Sequence, residues 1–402
     1  MWAKSPTEVR TGSDNYISAM QRTRLWDIFC QVIDNHGDLG VCWRLARQLA
    51  DAGQAVRLWV DDGSALSWMA GDLAPQGITV LPWTAASQAG GRAALPTADV
   101  WIEAFGCHLP EAFVAWHVAE VNAGRARIPA WINLEYLSAE DGVRSLHGLP
   151  SPVMSGPAKG WTKRFYYPGF QTGTGGLLRE ADLVTRQQAF DRPAWRSVFA
   201  PGLSADSLLI SLFCYEPAAL PDLLTDLGQQ RRPGDGRVEG LPHQLLVTPG
   251  RPWAAVQRAL AGLSPGVHPQ WTALPYTDQD GFDHMLWAAD LNLVRGEDSL
   301  VRALWAGQPF VWHIYPQDDD AHHAKLEAFL DWLEVPDSLR RFHRVWNGLE
   351  TGKLPTLDAD SLALWADCTQ AARRRLLAQD DLLTSLVRLK EIKESTELPL
   401  DR

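Results

Sequence analysis

Apolar residues in this chain alternate between short unbroken runs and stretches where they recur every third or fourth position. Trp26-Asp27-Ile28-Phe29-Cys30-Gln31-Val32-Ile33 reads as a buried first strand. A polar turn, Asp34-Asn35-His36-Gly37-Asp38, leads into a helical pattern. There Cys42, Leu45, Ala46 and Leu49 fall at i, i+3, i+4 and i+7, and Gly53 ends the helix. Val56 to Val60, Asp99 to Phe105 and Ala130 to Leu134 read as further strands, with a helix near Glu111 to Asn122. A second series starts at Ser207 to Tyr215. It continues through Gln244 to Thr248, a helix around Trp253 to Ala261, a strand near Val267 to Leu274, and Ala289 to Val294. Strands alternating with helices imply parallel, doubly wound sheets.

Gly148 to Gly176 is rich in Pro, Gly and Ser, and reads as a loop leading to an interdomain connection. Helices near Ala321 to Leu333 and Ser338 to Trp346 follow the second series. After Pro355 one long helix carries Leu362, Trp365, Ala366, Thr369, Ala372 and Leu376 on a stripe, as expected of a terminal helix packing back across both domains. The expected architecture is two nucleotide-binding α/β domains facing a cleft, with ligands at the strand C-termini.

The segment Arg295-Gly296-Glu297-Asp298-Ser299 joins a strand to a helix that stops at Gly307-Gln308-Pro309, before another strand, Phe310 to Ile314. A strand turning on glycine into a helix points unpaired N–H groups and a positive dipole end at one spot, which suits a diphosphate. Ser299 is a candidate helix cap and Arg295 a bidentate phosphate partner. An ordinary βα turn with a good cap explains the same residues. Asp34 and Asp38 lie at the C-terminal edge of the first strand, as paired anions for acid/base work or for gripping a cation; turn and cap chemistry is the alternative. Glu297 beside a diphosphate is odd unless it binds sugar hydroxyls or helix N–H groups. Phe213, Tyr215 and Phe282, the last near Gln279, could hold a base or simply fill the core. Asp318-Asp319-Asp320 with His322 and His323 has the ligand types of a metal site, but neighbouring residues at a helix start point in different directions, and no metal is expected.

Length and charge narrow the class. At 402 residues the chain can bury two cores, and 21% charged with 46% hydrophobic residues describes a soluble globular protein. No apolar run of about 18 residues occurs, so no transmembrane helix is expected, and the partners expected include no membrane. The first 24 residues lack a signal-peptide core and read as a disordered leader. Five cysteines without a C-x-x-C pattern read as reduced thiols of a cytoplasmic protein. A net charge of −11 argues against general nucleic-acid binding and is compatible with a basic partner. The 19 tryptophans read as core and interface filler.

The pattern Gly296-x-x-Ser299, Ala303, Gly307-x-Pro309, Pro316 and Asp318 to His322 resembles the donor-site signature of two-domain GT-B glycosyltransferases. Asp34-Asn35-His36-Gly37-Asp38-x-Gly40, Leu149-Pro150-Ser151-Pro152, Tyr167-Pro168-Gly169-Phe170, Thr174-Gly175-Gly176-Leu177 and Arg295 to Ser299 narrow the resemblance. From Leu25 onward the chain is similar to the bacterial protein-arginine rhamnosyltransferases that modify translation elongation factor P.

That resemblance implies a GT-B fold and inverting transfer of L-rhamnose from dTDP-β-L-rhamnose to one arginine of the factor, which then rescues polyproline-stalled ribosomes. It implies a donor substrate and no cofactor. It implies catalytic roles for Asp34, Asp38 and Glu297, and donor contacts at Asn35, His36, Gly37, Asp38, Phe213, Tyr215, Gln279, Phe282, Arg295, Gly296, Glu297, Asp298 and Ser299. His36 departs from the Tyr or Phe usual there. The expected division is 1–24 leader, 25–175 acceptor domain completed by C-terminal helices at about 357–395, and 176–356 donor domain. A nucleotide-sugar epimerase, another GT-B transferase with a different acceptor, and a non-catalytic partner of the translation apparatus are the alternatives.

Overall fold

The computed structural model describes residues 23–33, 36–71, 76–88, 95–204, 207–229, 243–264, 266–317 and 320–388, so the expected leader lies outside them except for Thr23 and Arg24. Two sheets organise these residues. The first contains β1 (Leu25–Cys30), β2 (Ala55–Val60), β3 (Ile78–Pro82), β4 (Val100–Ala104), β5 (Ala130–Leu134), β6 (Pro150–Pro152) and β7 (Thr162–Tyr166), in the order β3-β2-β1-β4-β5-β7-β6. All its pairings are parallel except β6 with β7. The second contains β8 (Leu208–Leu212), β9 (His243–Val247), β10 (Trp271–Ala273), β11 (Leu291–Arg295) and β12 (Phe310–His313), in the order β10-β9-β8-β11-β12, all parallel.

Central strands covered on both faces require residues that bury on both sides, and β4, β8, β9 and β11 are buried at every position. In β1 the alternation sends Ile28 to one core and Phe29 to the other. Its Asp27 is fully buried yet satisfied, accepting from Arg57 Nε and Nη2 at 2.6 Å each and from Trp59 Nε1 at 2.8 Å.

Strand order changes direction between β1 and β4 in the first sheet and between β8 and β11 in the second. Loops diverge at such switch points and leave a crevice at the strand C-termini. The expected GT-B-like arrangement of two Rossmann-like domains about a central cleft is therefore present.

Two local expectations are corrected, and β3 is added. The Pro- and Gly-rich stretch expected to be loop supplies β6 and β7, because β6 is an edge strand, where proline needs no ladder partner. The periodicity showed no sign of β3, whose burial is only partial. The segment expected as strand near Val267 to Leu274 contracts to β10.

The long C-terminal helix (Ala359–Leu377) buries Trp365, Ala372 and Leu376 in the core of the second sheet. A following helix at 382–388 puts Leu382, Leu383, Leu386 and Val387 into a core of the first. Leu382 N donates to Leu177 O at 2.9 Å, so the returning chain runs beside the outgoing connection. No helix among the described residues is long and apolar enough to cross a membrane.

Candidate functional site

Helix α1 (Gly37–Asp51) starts directly after the β1 loop. Its N-cap, His36, makes no side-chain cap hydrogen bond, and Asp38 sits inside the first turn rather than before it. The capping role considered for Asp38 is thereby corrected. Its buried carboxylate instead accepts the Ile33 N–H at 2.9 Å through Oδ2, tying the helix back to the end of β1. His36 lays its ring edge-on to Trp68, 5.2 Å between centroids. Asp34 and Asn35 lie outside the described residues.

Across the cleft, α2 (Gln279–Ala288) and α3 (Gly296–Ala306) descend from the second sheet. Asp278 caps α2 by accepting the Gly281 N–H at 2.8 Å. Helix α3 begins at Gly296, whose φ of 65° makes the sharp turn out of β11 inexpensive for glycine. It therefore starts earlier than its apolar spacing suggested. Ser299 is consequently not its cap: buried in the first turn, it exchanges hydrogen bonds with the Arg295 backbone, accepting the N–H at 3.1 Å and donating to the carbonyl.

Arg295 is buried against aromatic faces. Its guanidinium carbon lies 4.4 Å from the Phe213 centroid and 4.8 Å from that of Tyr215, and Nη1 donates to Cys214 O at 3.1 Å. Phe282 meets Phe213 edge-on at 5.3 Å. Burial, with Arg295 beside it, pushes the neighbouring His313 down to about 3, so that ring stays neutral.

These residues enclose a cleft of about 510 Å³ lined by Phe213, Tyr215, Gln279, Phe282, Arg295 and Ser299, together with Asp298, His36 and Gly37 from the sequence expectation. Two buried polar atoms on its wall, Gln279 Oε1 and Arg302 Nη2, have no hydrogen-bond partner among the described residues. Such atoms are what a polar ligand satisfies.

A second cavity of about 150 Å³ adjoins it, lined by Asp38, Glu297, Gly296, Tyr136, Trp312 and Lys325, among others, and Gly37 belongs to both walls. Glu297 thus stands with Asp38 rather than beside Phe213 and Tyr215, and its Oε2 accepts the Leu137 N–H, just past β5, at 2.9 Å. The first turn of α3 divides the two spaces: Asp298 and Ser299 face the larger, Gly296 and Glu297 the smaller.

The two walls are fastened together by charges that no local pattern connects. Arg44 of α1, 2% exposed, pairs with Glu180 through Nε and through Nη2 at 2.7 Å, and with Asp298 at 3.2 Å. Asp298 also accepts from Arg302 Nε at 2.8 Å, and Arg302 reaches Asp283 at 2.8 Å. Burial alone would raise the Glu180 carboxyl; the charge and hydrogen bonds of Arg44 overcome it and hold the group far below its usual range. Gln279 Nε2 adds a direct hydrogen bond to Gly40 O at 3.0 Å. An alanine at Gly40 would bring Cβ within 3.3 Å of Asp298 Oδ2, so the helices approach closely there.

Asp320, His322 and His323 place one ligand atom each within 4.8 Å of one another, while Asp318 and Asp319 lie outside the described residues. One ring nitrogen of His322 is already engaged, Nδ1 accepting the Gln317 N–H at 3.1 Å. Residues absent from the sequence expectation include Arg44, Arg302, Trp68, Tyr276, Phe105, Tyr136 and Lys325. Phe105 follows β4 directly and Tyr136 lies two residues past β5, so the rule that ligands meet strand C-termini was a usable signal for them. Trp68 and Tyr276 meet across the cleft, 5.0 Å between centroids, and no local pattern foretells that.

A family profile described as elongation factor P (EF-P) rhamnosyltransferase EarP matches residues 26–391. A protein-arginine rhamnosyltransferase of Pseudomonas putida is 42% identical over 90% of this chain and 97% of its own length. That of Pseudomonas aeruginosa is 43% identical over 80% of this chain and 86% of its own. A solved structure, described as the structural basis for EarP-mediated arginine glycosylation of translation elongation factor EF-P, is 31% identical with a TM-score of 0.54, covering 92% of this chain and 99% of that one.

Proposed function

We propose, from the premise that the chain belongs to the EarP family of EF-P rhamnosyltransferases, that its two adjoining cavities divide the reaction between donor and acceptor. The enzyme moves L-rhamnose from dTDP-β-L-rhamnose to an arginine side chain of EF-P. The larger cleft takes the nucleotide: Phe213, Tyr215 and Phe282 lie toward the base, and Arg295 with the α3 N-terminus receives the diphosphate. The smaller cavity takes the acceptor guanidinium against Asp38. The observation that carries this reading is the first turn of α3, which presents Ser299 to one space and Glu297 to the other. We divide the chain near residues 175 and 356, acceptor side first, in keeping with the span of each sheet. We place its action in the cytoplasm, since its acceptor is a translation factor.

Arginine is a reluctant nucleophile. Its pKa near 13.8 and that of an aspartate near 3.9 differ by roughly 10 units, so complete proton transfer before attack would cost about 13 kcal/mol. Asp38 as an early base fails on that magnitude. Instead the carboxylates hold and polarise the guanidinium, with Asp34 assigned the same grip by resemblance. One nitrogen attacks the anomeric carbon from the face opposite the leaving group, inverting it. As the N–C bond forms and the C–O bond to the diphosphate breaks, that nitrogen becomes acidic, and Asp38 takes its proton late. Arg295 and the α3 N–H groups stabilise the departing dTDP. Glu297, which lines the smaller cavity and accepts the Leu137 N–H, is assigned to the donor sugar by resemblance.

Incubation with dTDP-rhamnose and purified EF-P, followed by intact-mass measurement of the factor, tests this. A gain of one deoxyhexose supports transfer. Isomerised donor with unmodified factor indicates an epimerase, and binding without turnover indicates a non-catalytic partner.

A further inference from the structure

We infer that the face of Tyr136, backed by Phe105, is the stacking platform for the acceptor guanidinium, and that Lys325 is an internal cation the acceptor displaces. This rests on the acceptor reading of the smaller cavity. Phe105 and Tyr136 follow adjacent parallel strands, and their rings stack 4.9 Å apart at an interplanar angle of 24°. Phe105 holds a φ of 56°, a left-handed backbone that aromatic L-residues rarely adopt, fixed by its N–H donating to Leu134 O at 2.7 Å. Such outliers cluster where ligands are positioned. With one side covered by Phe105, Tyr136 turns toward the cavity that holds Asp38 and Glu297. The residue after it, Leu137, donates to Glu297, which fixes the ring beside that carboxylate.

The ring already attracts a cation. Lys325, on a helix of the opposite domain (Ala321–Leu333), places Nζ 5.6 Å from the Tyr136 centroid. A guanidinium is planar, delocalised and more weakly hydrated than an ammonium, so it stacks on an aromatic face better. An arginine side chain meeting Asp38 in this cavity would therefore take the ring in preference to Lys325. Carboxylates alone attract any cation. A ring beside them adds a preference for a flat one, which is a basis for choosing arginine over lysine.

Steady-state rhamnosylation with EF-P as the varied substrate tests the assignment, with dTDP affinity measured by calorimetry for each variant. Tyr136→Leu is expected to raise KM for EF-P about tenfold with dTDP affinity unchanged, and Tyr136→Phe to recover most of the loss. Should Tyr136→Leu also lose dTDP binding through misfolding, the test passes to Lys325. Lys325→Arg, a better-stacking competitor, is expected to raise KM several-fold, while Lys325→Met does not raise it. A properly folded Tyr136→Leu enzyme with unaltered KM, a Lys325→Arg enzyme with unaltered KM, or a Lys325→Met enzyme with raised KM overturns the assignment. If the wild-type enzyme adds no deoxyhexose to EF-P, the functional reading itself fails. Wild-type transfer with any of those overturning results sinks only this assignment.

Discussion

Two cavities meet at Gly37, both walled by aromatic rings, and they differ in the charged groups they carry. The larger is aromatic and cationic, with Phe213, Tyr215 and Arg295 stacked at its base. The smaller carries the paired acids Asp38 and Glu297. One wall suits a diphosphate anion and the other a guanidinium cation, separated by a single helical turn. Neither wall carries charge of one sign, since Asp298 lines the larger space and Lys325 the smaller; the contrast lies in Arg295 stacked on aromatic rings on one side and two carboxylates on the other.

The largest expected effect breaks the acidic side. Asp38→Asn keeps an oxygen for the Ile33 N–H but removes the late base. Turnover should fall by about 10² to 10⁴ while calorimetric donor affinity holds. Near-normal turnover would remove the base from the mechanism. Next comes the joint between the walls. Arg44→Met leaves Glu180 and Asp298 short of a buried partner, and should lower unfolding free energy by about 3–5 kcal/mol in denaturant titration.

Glu297→Gln retains an acceptor for the Leu137 N–H, so stability should hold while the transfer rate drops by roughly 10- to 100-fold in single-turnover assays. On the cationic side, Arg295→Lys loses the planar fork that stacks on Phe213 and Tyr215. It should weaken dTDP binding about tenfold, with little change in KM for EF-P.

The last test is a pH profile. His313 has a folded pKa of about 3 against 6.5 unfolded, so between those values the unfolded chain binds a proton that the folded chain does not. Stability should therefore fall as pH drops through that window, and His313→Asn should flatten the upper part of the curve. Glu180, also depressed, adds a loss that begins as pH falls below about 4.5 and should vanish from the Arg44→Met curve.

How much of this was legible depended on how local the determinant was. The strand–turn–helix at Arg295 to Ser299 could be read because glycine, apolar run and helical spacing are neighbours in the chain. Its details could not: Ser299 bonds the Arg295 backbone instead of capping, since the helix begins three residues earlier. Glu297 looked misplaced beside a diphosphate when read along the chain, and only the helix geometry turns it toward Asp38. The stretch around Pro150 looked like loop because proline argues against a central strand. Position at the sheet edge, invisible in sequence, reverses that argument.

By itself the sequence determined the alternation of strands and helices, the two series, the glycine turn at Gly296 and a motif set similar to one transferase family. These follow from side-chain periodicity and backbone preference, which act over a few residues. Tertiary structure alone decided that Arg44 would meet Glu180 and Asp298, 136 and 254 residues away, and that Tyr136 would face Lys325. Coulombic and aromatic contacts depend on distance in space, and the chain fixes that distance only after both sheets have formed and their helices have packed.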